Sequence, residues 1–128
     1  HPRLLGPPNV FGIEATLAAW RSGDEWLAAL LTELDRNRQR IGEVLSGRAP
    51  EIIYFPPQAS FLAWLDCASV GLDEAPYDFF LETARVALSD GREFSSYTDT
   101  FVRLNFATPG PVLEEMLNRM MNAIDTIR

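Results

Sequence analysis

The sequence has 128 residues, the length of a single domain, and 18 acidic residues against 11 basic ones give it a net charge of −7. This acidic balance argues against nucleic acid as a partner, because phosphate binding needs a basic surface. Hydrophobic residues make up 47% of the chain, enough for a buried core. No apolar run approaches the roughly 18 residues of a membrane-spanning helix, so we expect neither a nucleic-acid partner nor a membrane partner.

Several residue types are rare or missing. All eleven basic residues are arginines, so chemistry that needs a lysine amine, such as a Schiff base, cannot be completed by this chain alone. Cys67 is the single cysteine and His1 the single histidine, which argues against a disulfide, a zinc cluster and a histidine-dependent triad. A reducing, cytoplasmic location fits best. Because the chain starts with His1 instead of Met, we interpret it as a piece of a longer protein, with His1 as a candidate tag remnant.

The N-terminal part begins with residues that break regular structure. Gly6, Pro7 and Pro8 favour an extended segment, so residues 1–8 are predicted to be a linker or lead-in. Asn9 is a good N-cap, and a helix is predicted over residues 10–20.

A second, long helix follows. Ser22 and Glu25 have the spacing of a capping box, and Gly47 is a plausible end of the helix. The polar run at residues 35–40 interrupts its apolar face and is interpreted as solvent-exposed. Apolar residues otherwise recur at steps of three and four, as a helix requires: Leu27, Leu30, Leu31, Leu34, Ile41, Val44 and Leu45.

Two strands and a third helix are predicted in the middle of the chain. Residues 51–55 form an apolar run that Pro56 ends, and residues 61–66 form a second run. A helix begins after Asp73 or Glu74, either of which can cap it, and carries Pro76 in its first turn.

The C-terminal part contains one or two further strands and a final helix. Residues 86–88 could extend the third helix or form a short strand, and the strand is favoured. After a polar loop at residues 92–100, residues 101–106 are predicted to be a strand, and Thr108 and Pro109 to begin the last helix. This order of elements predicts an α+β fold, with a small, mostly antiparallel sheet of three or four strands covered by about four helices.

Arg103 is the main candidate for a functional residue. Alternate residues of a strand face opposite ways, so Val102 and Leu104 share a core face while Arg103 and Asn105 share the other. A guanidinium binds carboxylate or phosphate bidentately, and from the residues alone a structural ion pair and a ligand role are equally good explanations of Arg103. Asn105 alone is more often a structural amide.

The other side chains that could carry chemistry have simpler explanations. Tyr54, Trp64, Trp20 and Trp26 are predicted to be core aromatics, and Cys67 a small buried hydrophobic residue with no basic helper near it in the sequence. Helical spacing predicts core positions for one further group: Met116, Met120 and Met121.

Several motifs, in order along almost the whole chain, resemble the C-terminal end of class I/II (fold-type I) aminotransferases, and most closely their cystathionine β-lyase-like (MalY/PatB) subgroup. The main motif is Phe-Val-Arg-Leu-Asn-Phe-Ala-Thr-Pro at residues 101–109, followed by residues 113–119. The loop at residues 95–100 departs from the family because it lacks the usual glycines. The remaining matches are residues 9–12, 18–20, 23–27, 58–66 and 86–91, with Phe94.

This resemblance implies that residues 9–128 are the small C-terminal domain of an enzyme dependent on pyridoxal 5′-phosphate (PLP), acting on amino acids by transamination or C–S cleavage. It implies that Arg103, with Asn105 as a second candidate, binds the substrate's α-carboxylate. The lysine and the other cofactor-binding residues would lie in a large domain outside this chain, which would therefore be inactive alone, and the parent would be a homodimer. The alternative is a free-standing binding module in which Arg103 is structural.

Overall fold

The structure, a computed structural model, describes residues 9–128, so the predictions for residues 1–8 and His1 lie outside the described residues. The described residues divide into two compact units, residues 9–32 and Glu33–Arg128, and each is described by itself. The elements in chain order are α1 (Val10–Ser22), α2 (Asp24–Arg48), β1 (Ile53–Phe55), β2 (Leu62–Asp66), α3 (Pro76–Glu82), β3 (Ser89–Asp90), a 3₁₀ turn (Gly91–Glu93), β4 (Phe101–Asn105) and α4 (Gly110–Asp125).

The first unit contains α1 and the start of α2. Asn9 caps α1 as predicted, since its side-chain oxygen accepts a hydrogen bond from the backbone N–H of Gly12 at 2.7 Å. The predicted capping box at Ser22 is wrong, because Ser22 is still in α1 and its hydroxyl donates to Ala18 O at 3.0 Å. Gly23 separates the two helices, and a Cβ there would lie 2.4 Å from Ala19 O, so the junction needs glycine.

The two tryptophans of the first unit are exposed. No residue of α1 is buried, and the exposed fractions of Trp20 and Trp26 are 79% and 69%, so their prediction as core aromatics is wrong. The physical reason is that helical spacing identifies an apolar face but not the surface that covers it.

The second unit is built on a four-stranded antiparallel sheet with the strand order β1-β2-β4-β3. The central pair is β2 and β4, in which Trp64 lies opposite Arg103. The ladder extends beyond β4, since Phe106 N donates to Phe61 O at 2.9 Å. The predicted α+β class, the antiparallel sheet and the number of helices are confirmed.

One face of the sheet carries the core. Ala63 and Leu65 of β2 and Val102 and Leu104 of β4 are completely buried, as alternation in the strands predicts. Helical residues of the same cluster are Ile41, Val44, Leu45, Phe79, Phe80, Leu113, Leu117, Met120, Met121, Ala123 and Ile124, with Met116 partly buried against it. The prediction of core methionines is confirmed.

The strand predicted at residues 86–88 is wrong. These residues follow Arg85, which has a positive φ of 56°, and Val86 N donates to Phe80 O at 3.1 Å. The chain therefore turns back on the end of α3 before it reaches the sheet, and the strand is Ser89–Asp90 instead.

Two predicted N-caps are also wrong. Helix α3 follows Ala75, which makes no side-chain cap, so neither Asp73 nor Glu74 caps it. Helix α4 follows Pro109, again without a side-chain cap, while Thr108 lies one residue earlier. In both helices a proline in the first turn, Pro76 in α3 and Pro111 in α4, has the fixed φ that a helix needs.

Asn37 corrects the interpretation of residues 35–40 as solvent-exposed. Its side chain is only 2% exposed, and its amide nitrogen donates to Phe106 O at 3.0 Å and to Thr108 O at 2.8 Å. These bonds tie the long helix α2 to the junction between β4 and α4. Asn37 therefore fixes the end of the strand that carries Arg103.

Candidate functional site

Arg103 lies in the middle of β4, on the sheet face opposite the core. Its backbone partners are Trp64 on β2 and Ser89 on β3, so the residue has a strand on each side. The core residues Val102 and Leu104 flank it, and their complete burial fixes which face of the strand packs against the core. The backbone therefore directs this side chain away from the core.

The guanidinium of Arg103 is half-buried and incompletely paired. Its Nη2 donates to the hydroxyl of Ser89 at 3.1 Å, and its central carbon lies 4.6 Å from the centre of the Phe94 ring. Within residues 9–128 it forms no ion pair with an acidic side chain. Its Nε is buried and has no hydrogen-bond partner among the described residues. A positive group with free donors in this setting is able to bind an anion.

Three aromatic rings lie in contact with one another on the Arg103 face of the sheet. Trp64 meets Phe94 edge-on at 5.3 Å between ring centres and stacks on Phe101 at 5.4 Å with an angle of 22°. We call Trp64, Phe94 and Phe101 the aromatic cluster. Trp64 is partly buried, but it belongs to this cluster on the Arg103 face and not to the core for which it was predicted. An apolar wall of this kind lowers the local dielectric and strengthens interactions of the charge beside it.

The loop that carries Phe94 is anchored at Gly91, the first residue of the 3₁₀ turn. A Cβ at Gly91 would lie 2.0 Å from Thr98 O, so only glycine fits there. The Thr98 hydroxyl donates to Gly91 O at 2.7 Å and to Ser95 O at 3.0 Å. The loop without the family's glycines thus closes on itself through Thr98.

Arg92 fixes the same turn to the third helix. It donates to Asp90 at 2.7 Å and to Asp78 of α3 at 3.0 Å. The guanidinium of Arg92 lowers the pKa of Asp90 below its ordinary value. Asp90 is therefore ionised at neutral pH, and the turn leading to Phe94 is held by charged hydrogen bonds.

Asn105 lies on the same face as Arg103, at the exposed end of β4. Its side-chain oxygen accepts from Ala107 N at 2.9 Å, which shapes the turn after the strand. The structure thus gives this candidate a local structural bond. Its role toward a ligand stays a prediction.

The remaining reactive group is inert. Cys67 is buried, and desolvation raises the pKa of its thiol to about 12, so it stays protonated at neutral pH. Its prediction as a buried hydrophobic residue is confirmed. Residues 9–128 contain no group of three or more side chains suited to hold a metal ion. None of the helices in that range is long and apolar enough to cross a membrane.

Sequence reasoning found Arg103 and Asn105 but missed Ser89 and Phe94 as the neighbours of Arg103. Both lie in a segment with little regular structure, and only the pairing of β3 with β4 brings Ser89 beside the arginine. Phe94 was noted as part of a family motif, yet nothing in the spacing predicted that its ring would cover the guanidinium.

Known proteins resemble this chain over nearly its whole length, although no protein-family model matches it. A Mycobacterium tuberculosis protein assigned as a cystathionine β-lyase is 38% identical over 91% of this chain and 33% of its own length. Protein MalY of Escherichia coli is 33% identical over 97% of this chain and 32% of its own length.

Solved structures give the same result. The PLP-bound C–S lyase of Staphylococcus hominis superposes with a TM-score of 0.86 and is 28% identical, over 93% of this chain and 32% of that structure. The chain spans about one third of the length of each of these relatives. It is homologous, over more than nine-tenths of its length, to the PLP-dependent C–S lyases and aminotransferases of the MalY/PatB cystathionine β-lyase type.

Proposed function

We propose that this chain is the small C-terminal domain of a PLP-dependent enzyme and that it binds the α-carboxylate of an amino-acid substrate through Arg103. The proposal rests on the family relationship together with one observation. In residues 9–128, the Nε of Arg103 is the one buried side-chain nitrogen or oxygen without a hydrogen-bond partner. Buried polar groups are normally paired, and no acidic side chain of residues 9–128 pairs with this guanidinium, so its positive charge favours an anionic partner from outside the described residues.

The residues of this chain do not fit covalent binding of the cofactor. The chain has no lysine, and a Schiff base with PLP needs a lysine amine. When bound elsewhere in the parent protein, PLP supplies the electron sink for amino-acid chemistry. The isolated chain is therefore expected to be inactive, and the cofactor-binding groups are expected in a larger domain.

The contribution of this chain would be to orient the substrate. Ser89 occupies one N–H of Nη2, while Nη1 has no hydrogen-bond partner within residues 9–128. A carboxylate that reaches the terminal nitrogens of Arg103 can accept two parallel hydrogen bonds, which fix its direction as well as its position. Such orientation lowers the barrier for a reaction at the neighbouring carbon.

The aromatic cluster would support this binding by limiting water. Phe94 lies over the charge with Trp64 against its ring edge, and the exposed fraction of Phe94 is 48%. A substrate carboxylate would therefore meet a partly desolvated guanidinium, where charged hydrogen bonds are stronger than in water.

The test compares two arginines in the parent enzyme. Arg103→Ala should lower kcat/KM for L-cystathionine by about 30- to 5,000-fold, the effect of about 2–5 kcal/mol for removing one partner of a buried charge pair. Arg36→Ala is the control, because Arg36 is an exposed residue of α2 whose side chain pairs only locally with Glu33. Equal kinetics for the two variants would refute the carboxylate role.

The reaction of the parent, transamination or C–S cleavage, is measured in the same assays. Formation of pyruvate from L-cystathionine indicates cleavage of the C–S bond, and formation of a 2-oxo acid that keeps the whole carbon skeleton indicates transamination. A homodimeric parent and a cytoplasmic location stay predictions.

A further inference from the structure

We infer that Phe94 is a positioning residue, whose ring holds the Arg103 guanidinium in the orientation that a substrate carboxylate needs. This inference rests on the proposed function of Arg103 and adds a second residue to it. Nothing in the strand itself fixes the end of an arginine, which has a long side chain with several rotatable bonds.

The first line of support is the contact itself. The central carbon of the guanidinium lies 4.6 Å from the centre of the Phe94 ring, within the range of a cation–π interaction. Ser89 holds one edge of the same guanidinium through Nη2 at 3.1 Å. The Phe94 ring covers one face of the guanidinium and the Ser89 hydroxyl occupies one edge, so the terminal nitrogen Nη1 is left for a ligand.

The second line of support is that Phe94 does not serve the core. It is 48% exposed and is not a member of the core cluster, although a phenylalanine gains most free energy when fully buried. Its ring instead touches Trp64 edge-on at 5.3 Å, so both neighbours of the ring belong to the Arg103 face.

The third line of support is the rigidity of the segment that presents the ring. Phe94 N donates to Gly91 O at 3.0 Å, and the turn before it is tied to α3 by the bonds from Arg92 to Asp78 and Asp90. A ring on a fixed turn can restrict a flexible cation, whereas a ring on a loose loop would move with it.

The test uses two substitutions of Phe94 in the parent holoenzyme. Phe94→Leu keeps apolar volume but removes the π face, and should lower kcat/KM for L-cystathionine about 2- to 30-fold, mainly through KM, the range that a cation–π contact supports. Phe94→Tyr keeps the π face and should restore most of the wild-type value. Phe61→Leu is the matched control, because Phe61 is similarly exposed at 43% and is not among the rings that contact Trp64 or Arg103.

A double-mutant cycle and a crystal structure separate the two proposals. If Phe94 acts through the arginine, Phe94→Leu has no further effect on kcat/KM in the Arg103→Ala background. If Arg103→Ala costs activity while Phe94→Leu behaves as Phe61→Leu does, the positioning role is wrong and the proposed function stands. If Arg103→Ala costs nothing, the proposed function fails, and the positioning role that rests on it fails too. If Arg103→Ala costs activity, the Phe94→Leu crystal structure is a second readout: an unmoved guanidinium overturns the positioning role, and a displaced one supports it.

Discussion

Removing the Asn37 side chain should destabilise the domain more than any comparable change on a helix surface. Asn37→Ala deletes two hydrogen bonds, of 3.0 Å to Phe106 O and 2.8 Å to Thr108 O, in a place that is only 2% exposed. Each bond contributes a net of about 0.5–1.5 kcal/mol, and the buried carbonyl of Phe106 and the partly buried carbonyl of Thr108, once without a donor, add a desolvation cost. We therefore expect the free energy of unfolding to fall by about 2–4 kcal/mol, a large part of the roughly 5–15 kcal/mol of a typical domain.

The matched control is Asn118→Ala on α4. Asn118 is exposed, and within residues 9–128 its one side-chain hydrogen bond is a weak one, of 3.5 Å, from Arg48. The same exchange of residue types there gains helix propensity of about 0.5 kcal/mol and loses little else. The difference between the two variants therefore isolates the buried bonds of Asn37.

Urea unfolding followed by far-UV circular dichroism measures both variants. A second variant, Asn37→Asp, keeps the shape of the side chain but replaces the donor with a carboxylate facing two carbonyl oxygens. It should be at least as unstable as Asn37→Ala at neutral pH, because the new oxygen can only accept hydrogen bonds. If the free energies of unfolding of Asn37→Ala and Asn118→Ala differ by less than about 0.5 kcal/mol, the usual scatter for surface substitutions, the reasoning from burial is refuted.

Two further predictions concern charge and the cofactor. Arg40 donates to both oxygens of Glu114, at 2.5 and 3.1 Å, and holds the pKa of that carboxyl below its ordinary value of 4.5. The stabilisation from the Arg40–Glu114 pair is thus fully present above pH 4.5 and is lost as pH falls through the lowered folded-state pKa. In urea unfolding at a series of acid pH values, the free energy of unfolding of Glu114→Gln should therefore fall less steeply with decreasing pH than that of the wild type. An equally steep fall in both proteins would contradict this. When the chain is incubated with PLP and reduced with borohydride, peptide mass spectrometry should find no adduct on internal peptides, because the chain has no lysine; an internal adduct would contradict the assignment.

The sequence predicted the elements whose apolar pattern is strong. Alternation in β2 and β4 placed Leu65 and Val102 on the core face, and helical spacing in α4 placed Met120 there, because each pattern matches one period over several residues. The short strand β3 has two residues and no period of its own. It exists because Ser89 pairs with Arg103, and that pairing depends on the course of the chain after α3.

The same limit explains why the burial of two side chains was predicted wrongly. The polar run around Asn37 has the composition of an exposed surface, and the partners that bury Asn37 lie about 70 positions away. Trp20 has the composition of a core residue and is exposed. Burial depends on which surfaces pack together in the folded chain, whereas local composition indicates only whether a segment is polar or apolar.

Arg103 is an exception to the pairing of buried polar groups in this fold. In the described part of the chain, Asn37 is buried with both amide hydrogen bonds made, whereas Arg103 keeps a buried Nε without a partner. An unpaired buried donor costs on the order of 1–3 kcal/mol, and Val102 and Leu104 on either side prevent the strand from turning to expose it. A loss of stability that neighbouring residues do not offset is typical of functional sites, whose side chains are held in the geometry that binding needs. A carboxylate bound at the terminal nitrogens of this guanidinium would supply the negative charge that no acidic side chain of residues 9–128 places beside it.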